Sequence, residues 1–199
     1  MSLFTPDTPQ GFHYRDEFVS GAEQASLIAA IAGVEFADFE MRGVVARRRV
    51  AFFGATYDDA NAPARPMPEF LRPLVERAAA WAGVKPDDFA MALINEYRAG
   101  APIGWHRDAP QYDIVAGISL LSPCRMRFRP YLSPGTAPTG GRRTATHHIV
   151  LAPRSAYLMT GESRSGYEHS IPPVGDLRYS ITFRTLRAGR ALRFPRSGR

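Results

Sequence analysis

What this chain lacks narrows its class before any motif is read. It has a single cysteine, Cys124, so no disulfide framework can hold it together. That usage fits a reducing compartment, and the cytoplasm is the expectation. No apolar run approaches the ~18 residues that a membrane-spanning helix needs, so no membrane partner is expected. The opening stretch MSLFTPDTPQGFHYRDEF has no basic segment followed by an apolar one, which argues against a secretory leader. Lysine is almost missing: Lys85 is the only one, and arginine carries the rest of the positive charge. No internal repeat and no linker divides the 199 residues, a length that suits one domain. A monomer is expected.

What is present is basic. The net charge is +6 and the sequence pI about 9.9, a balance that points towards a polyanionic partner. The arginines cluster as Arg47-Arg48-Arg49, as Arg125, Arg127 and Arg129, and along the final run RTLRAGRALRFPRSGR. The last of these reads as a solvated tail.

The first third of the chain reads helical in two places. Ser20 and Glu23 have capping-box spacing ahead of Leu27, Ile28 and Ile31. Pro68 to Trp81 repeats the pattern with Phe70, Leu71, Leu74 and Val75, and Gly83 is a natural stop. Between them, RRRVAFFGATYDDANAPARP reads as a strand, a turn and a proline-rich loop. From residue 89 the period changes to two: FAMALINEY puts Phe89, Met91, Leu93, Asn95 and Tyr97 on one face of a strand. The segments DIVAGISLL, RMRFRPY, HHIVLAP, SAYLMTG and RYSITFR follow, separated by Gly, Pro and Ser breaks. Short strands after helices predict an α+β fold, a sandwich or jelly roll with the helices packed outside one sheet.

Chemistry enters with GWHRDAP. In an extended segment residues two apart point the same way, so His106 and Asp108 can converge on one point. His169, in GYEHSIPP just after a predicted strand, can complete two histidines and one carboxylate, a set suited to non-haem Fe(II) with open positions. The plain alternative is a hydrogen-bonded loop histidine. RYSITFR adds a second signal. Arg178, Ser180, Thr182 and Arg184 share one strand face, and two buried guanidinium groups need anions. A dicarboxylate provides two, with Asn95 and Tyr97 able to add neutral hydrogen bonds. The His147-His148 pair points to opposite faces and makes a poor metal site, and Cys124 has no paired base in view.

The motifs INEYRAGAPIGWHRDAP, GYEHSIPP and RYSITFR together resemble the AlkB family of Fe(II)/2-oxoglutarate dioxygenases, in family order over residues 89–186. The resemblance implies a double-stranded β-helix with iron on His106, Asp108 and His169. It also implies 2-oxoglutarate on Asn95, Tyr97, Ser180, Arg178 and Arg184, with Arg178 on the distal carboxylate, and O2 as oxidant. Residues 1–88 would then hold the helices and a substrate lid, 89–186 the catalytic core and 187–199 the tail. Two positions depart from the family pattern. Ser180 stands where the family usually has Asn, and Pro110 where many repair members carry an acidic, base-reading residue.

The implied activity is oxidative demethylation of N-alkylated bases in DNA or RNA, with alkylated nucleic acid as partner. In the lid, Arg47, Arg48 and Arg49 are candidates for phosphates, and Phe52, Phe53 and Tyr57 for stacking on a flipped base. A hairpin with core phenylalanines is the equal alternative. Two other functions stay open: the same oxidation on a protein or small-molecule N-methyl group, and a degenerate nucleic-acid-binding module.

Overall fold

The computed structural model describes residues 8–41, 44–54, 65–132 and 146–187. Among the described residues, eleven strands form two antiparallel sheets. In chain order they are β1 (Phe12–Arg15), β2 (Ala37–Met41), β3 (Val44–Gly54), β4 (Phe89–Tyr97), β5 (Ile103–His106), β6 (Tyr112–Leu120), β7 (Cys124–Pro130), β8 (His147–Leu151), β9 (Ala156–Met159), β10 (Tyr167–Ile171) and β11 (Arg178–Leu186). The large sheet runs β1-β9-β6-β11-β4-β3-β2 and the small one β5-β10-β7-β8. The fold is the expected jelly roll. Its large sheet also recruits β1, β2 and β3 from the region before residue 89, which therefore supplies strands as well as helices.

Two helices lie outside the large sheet. In α1 (Gly21–Ile31), Ser20 Oγ accepts from the Glu23 amide at 3.1 Å and the Glu23 carboxylate accepts from the Ser20 amide at 2.8 Å, the reciprocal cap the spacing predicts. In α2 (Arg72–Ala82), the first predicted turn is a 3-10 turn over Glu69–Leu71 instead, ahead of Pro73 at the helix start. Gly83 closes the helix at φ 71°, a left-handed conformation that costs glycine nothing. Leu27, Ile31, Leu74 and Val75 pack onto Ile94, Ile118, Ile181 and Phe183 of the sheet. A second core, built on Phe12, Met126, Phe128, Leu151 and Met159, fills the space between the sheets.

Strand parity then decides what faces what. On β11, Ile181 and Phe183 belong to the helix-side core. Arg178, Ser180, Thr182 and Arg184 take the other side, towards the small sheet, and all four are buried. The polar face of one central strand looks into the interior between the sheets.

Candidate active site

The floor is laid by register. On β4 and β11, Tyr97 lies opposite Arg178 and Asn95 opposite Ser180. On the other side of β11, β6 sets Ser119 opposite Ser180 and Gly117 opposite Thr182. The small sheet brings the rest. His106 on β5 and His169 on β10 are direct cross-strand partners with ring centroids 4.3 Å apart, so His169 is a strand residue and no loop histidine. Asp108, two residues past the end of β5, sets Oδ2 at 3.8 Å from His169 Nε2. The three side chains converge.

Their electrostatics favour ligation. His106 Nδ1 lies 2.9 Å from the Gly104 carbonyl, a contact that places the proton on Nδ1 and leaves Nε2 with its lone pair. Burial lowers the His106 pKa and pushes that of His169 down to about 3, so both rings stay neutral, the form that binds metal. Burial would raise the Asp108 carboxyl, yet Arg184 above all, with His169, His106 and Arg164, holds it well below the usual carboxylate range. Arg184 reaches Asp108 Oδ1 by Nε at 3.0 Å and Nη2 at 2.7 Å, while Oδ2 is buried with no hydrogen-bond partner. A bare buried carboxylate oxygen beside two neutral imidazoles calls for a cation.

As the side chains lie, no three His, Cys, Asp or Glu residues among those described form a closed metal-holding group. Donors at neighbouring positions on an ion with bonds of about 2.1 Å lie roughly 3 Å apart. The 3.8 Å gap thus requires only a small inward movement. The donor set fits a divalent ion of the iron type.

Further along β11 lies a candidate anion site. Arg178 is 0% exposed; its Nε donates to Ser119 Oγ at 3.1 Å and its Nη1 has no partner. No carboxylate pairs with it among the described residues. Arg48 adds a third buried cation, donating from Nε to Asn95 Oδ1 at 3.2 Å and lying 4.4 Å from the Phe39 ring centroid. With Arg164, four buried guanidinium groups surround the one carboxylate of Asp108, an arrangement short of negative charge.

The lid candidates divide by parity. Arg48 points into the cavity, whereas Arg49 forms a two-armed pair with Glu96, both arms 2.9 Å, and Arg47 is exposed. Phe52 is half-buried on the cavity side, 6.4 Å from Phe39. Phe53 is only 3% exposed and belongs to the helix-side core, so stacking on a base is corrected to packing. Tyr57 lies outside the described residues.

Three contributors were not anticipated. Arg164, on a short helix α3 (Gly161–Ser165), donates from Nη2 to the Ala109 carbonyl at 2.6 Å and the Tyr112 carbonyl at 2.9 Å, pinning the loop that carries Asp108. Ser119 orients Arg178, and Tyr157 on β9 reaches over Gly117. Alternation within SAYLMTG could have assigned Tyr157 to the cavity side; nothing in the sequence marks Arg164.

The outward face of the small sheet is basic and aromatic. Trp105 lies under the Arg127 and Arg129 guanidinium groups at 5.0 and 4.5 Å. Arg107 covers Tyr131 at 3.4 Å, and Arg125 is exposed on the same face.

Comparison with known proteins gives a consistent result. A family model described as the 2OG-Fe(II) oxygenase superfamily matches residues 39–184. An Arabidopsis thaliana protein named "Alkylated DNA repair protein ALKBH8 homolog" is 27% identical over 175 residues, 81% of this chain. The chain spans about half of that relative's length, 51%. "Uncharacterized protein L905" of Acanthamoeba polyphaga mimivirus is 26% identical over 192 residues, 88% of this chain and 85% of its own. Among solved structures, OsALKBH1 superposes with a TM-score of 0.66 at 14% identity, covering 92% of this chain and 100% of that one. A Pseudomonas putida prolyl-4-hydroxylase gives 0.59 at 14% identity, covering 90% and 94%.

Proposed function

The chain belongs to the 2OG-Fe(II) oxygenase superfamily and is AlkB-like within it, and from that premise we propose that it oxidatively removes N-alkyl groups from bases of DNA or RNA. The observation that carries the reading is the bare, buried Oδ2 of Asp108 beside His106 and His169, on the same interior face as Arg178, whose Nη1 has no partner. The family implies Fe(II), 2-oxoglutarate and O2. When bound, these supply the oxidising power, decarboxylating the 2-oxo acid to succinate and CO2 as the substrate C–H bond is hydroxylated.

The chain's own residues do the positioning. His106, Asp108 and His169 would hold the metal, with Arg184 keeping the second Asp108 oxygen occupied so that the carboxylate ligates through one. Arg178, Asn95, Tyr97 and Ser180 would hold the co-substrate, its distal carboxylate on Arg178. Hydroxylation of an N-methyl carbon gives a group that collapses to formaldehyde and the free amine.

Three observations support nucleic acid: the similarity to an Arabidopsis protein named for alkylated DNA repair, the net charge of +6, and the arginines over Trp105. Pro110, exposed and unable to ionise, favours the second reading, the same oxidation on a protein or small-molecule N-methyl group. A screen of methylated oligonucleotides and methylated peptides tests the choice, read by substrate mass loss and formaldehyde release. Turnover of oligonucleotides is expected; turnover of peptides alone would replace the first reading with the second.

A further inference from the structure

We propose that the outward face of the small sheet binds single-stranded nucleic acid, with the phosphate backbone on Arg125 and Arg127 of β7 and a base turned around the free edge of β5 towards His106. This rests on the function proposed above and deepens it, naming the surface that receives the strand.

Parity builds the face. Met126 and Phe128 of β7 turn into the core between the sheets, so Arg125, Arg127 and Arg129 turn out. They recur at every second residue, about 6.7 Å apart along the strand, a spacing of the order of that between neighbouring phosphates of an extended chain. On β8, Val150 and His148 are the cross-strand partners of Arg125 and Arg127, and both are exposed, Val150 at 54%. The helices α1 and α2 pack on the large sheet, and among the described residues nothing covers this face.

The guanidinium groups on it are ordered and still open to a ligand. Arg127 donates from Nε to Ser170 Oγ at 3.1 Å, and Arg129 from Nε to Glu168 at 2.6 Å. Among the described residues the Nη groups of both make no hydrogen bond, and Arg125 has no ion pair. Trp105, reached across β10, lies against the two guanidinium groups of Arg127 and Arg129 at 5.0 and 4.5 Å. A guanidinium held over an aromatic ring keeps its in-plane N–H groups for a phosphate. Glu168 offsets Arg129, so Arg125 and Arg127 carry the free charge.

One strand separates this face from the proposed metal ligands. β5 is the outermost strand of the small sheet, paired only with β10 among the described residues. Trp105 and Arg107 take its outward side, and His106 between them turns its half-buried ring inward against His169. A chain lying on the outward face therefore passes one backbone's thickness from His106, and the edge of β5 is the way round. A single strand turns a base past that edge without first breaking base pairs, whereas a duplex has to unpair and unstack it. An open four-stranded sheet with aromatic and basic side chains on its face suits single strands for the same reason.

The test is fluorescence anisotropy with short unmethylated strands of RNA and of DNA, titrated separately, and with the matching duplexes. The wild-type protein should bind a single strand more tightly than its duplex, and the two single-strand titrations distinguish RNA from DNA. Arg125→Glu combined with Arg127→Glu should weaken single-strand binding about tenfold or more at low salt. Its melting temperature, and its 2-oxoglutarate affinity by calorimetry, should match the wild type. Equal strand affinity in the double variant and the wild type overturns the proposal. Tighter binding of the duplex overturns it too, as does displacement of the strand by an equal charge of polyglutamate. Formaldehyde release from methylated strands by the wild type, alongside any of those results, leaves the proposed function standing. Absence of release from every methylated strand overturns that function, and this proposal with it.

Discussion

Arg184 grips Asp108 by one oxygen only, with Nε at 3.0 Å and Nη2 at 2.7 Å from Oδ1, and leaves Oδ2 bare. The pair is buried, so its two halves fail differently. Asp108→Ala strands the Arg184 guanidinium and should destabilise the fold by about 3–5 kcal/mol. His106→Ala removes a half-buried ring whose only described hydrogen bond is to Gly104, and should leave the melting temperature near that of the wild type. Both variants should lose Fe(II)-dependent succinate release. Retained release in both, measured on purified folded protein, would remove the proposed ligand set.

Arg178 carries the second prediction. Its side chain is fully buried, Ser119 fixes Nε, and Nη1 is left for a ligand. Arg178→Ala should weaken 2-oxoglutarate binding by roughly 1.5–3 kcal/mol, one to two decades in affinity, with metal binding nearly unchanged. An equal fall in both affinities would indicate collapse of the cavity instead. Arg184→Ala is the contrasting case, because it uncovers the Asp108 carboxylate and should disturb both.

How much of this was legible in the sequence depended on strand length and on parity. The span of β4 coincides with FAMALINEY, a mostly apolar nine-residue run buried on both faces, but a register irregularity opposite Arg184 and Thr185 puts Phe89 in the helix-side core, away from Met91 and Leu93, where strict alternation placed it. The strands β1, β5 and β10 have four or five residues and mix His, Glu, Arg and Trp, so their pairing comes from partners that are distant in the chain. His169 gains its meaning only through its pairing with His106. Parity could have gone further. Phe52 and Phe53 are adjacent on a strand, so both cannot face a ligand, and Arg48 cannot share a face with Arg47 and Arg49. Which of the two faces looks inward is set by the helices, whose apolar stripes claim Phe53. The Arg164 clamp is invisible from sequence because it recognises backbone carbonyls.

Acid sensitivity of α1 follows from Glu23. The hydrogen bond from Arg77 at 2.6 Å, with the Ser20 amide, lowers its pKa to about 2 from 4.5. A carboxyl depressed by folding stabilises the protein above its unfolded pKa, and that contribution disappears as pH falls from about 4.5 through about 2. Glu23 is 43% exposed, so solvent screening keeps the term under about 1 kcal/mol. Glu23→Gln should therefore lower the melting temperature slightly at pH 7 and not at pH 2. An equal deficit at both would assign the effect to packing.

The arginines give the sharpest test of substrate class, because their environments differ. Arg125, Arg127 and Arg129 share the outward face of β7, two of them over Trp105, although Glu168 takes part of the charge of Arg129 at 2.6 Å. If this face tracks a phosphate backbone, replacing the three with glutamine should weaken binding of a methylated single-stranded oligonucleotide. Each lost contact flattens the log–log salt dependence by about 0.7, so the slope should change by roughly 1.4 to 2. Trp105→Ala should weaken binding with little change in slope, since stacking releases no counterions. In the other cluster Arg49 is already neutralised by Glu96, and Arg47 is the exposed member. Arg47→Gln should then shift the slope by one contact at most. Arg48→Ala should act elsewhere, loosening Asn95 and lowering 2-oxoglutarate affinity with the salt slope unchanged. Identical affinity and slope in the β7 triple variant and the wild type would remove this face from substrate binding. If the wild type itself shows no salt-dependent binding to oligonucleotides, the second reading, oxidation of a protein or small-molecule N-methyl group, becomes the better one.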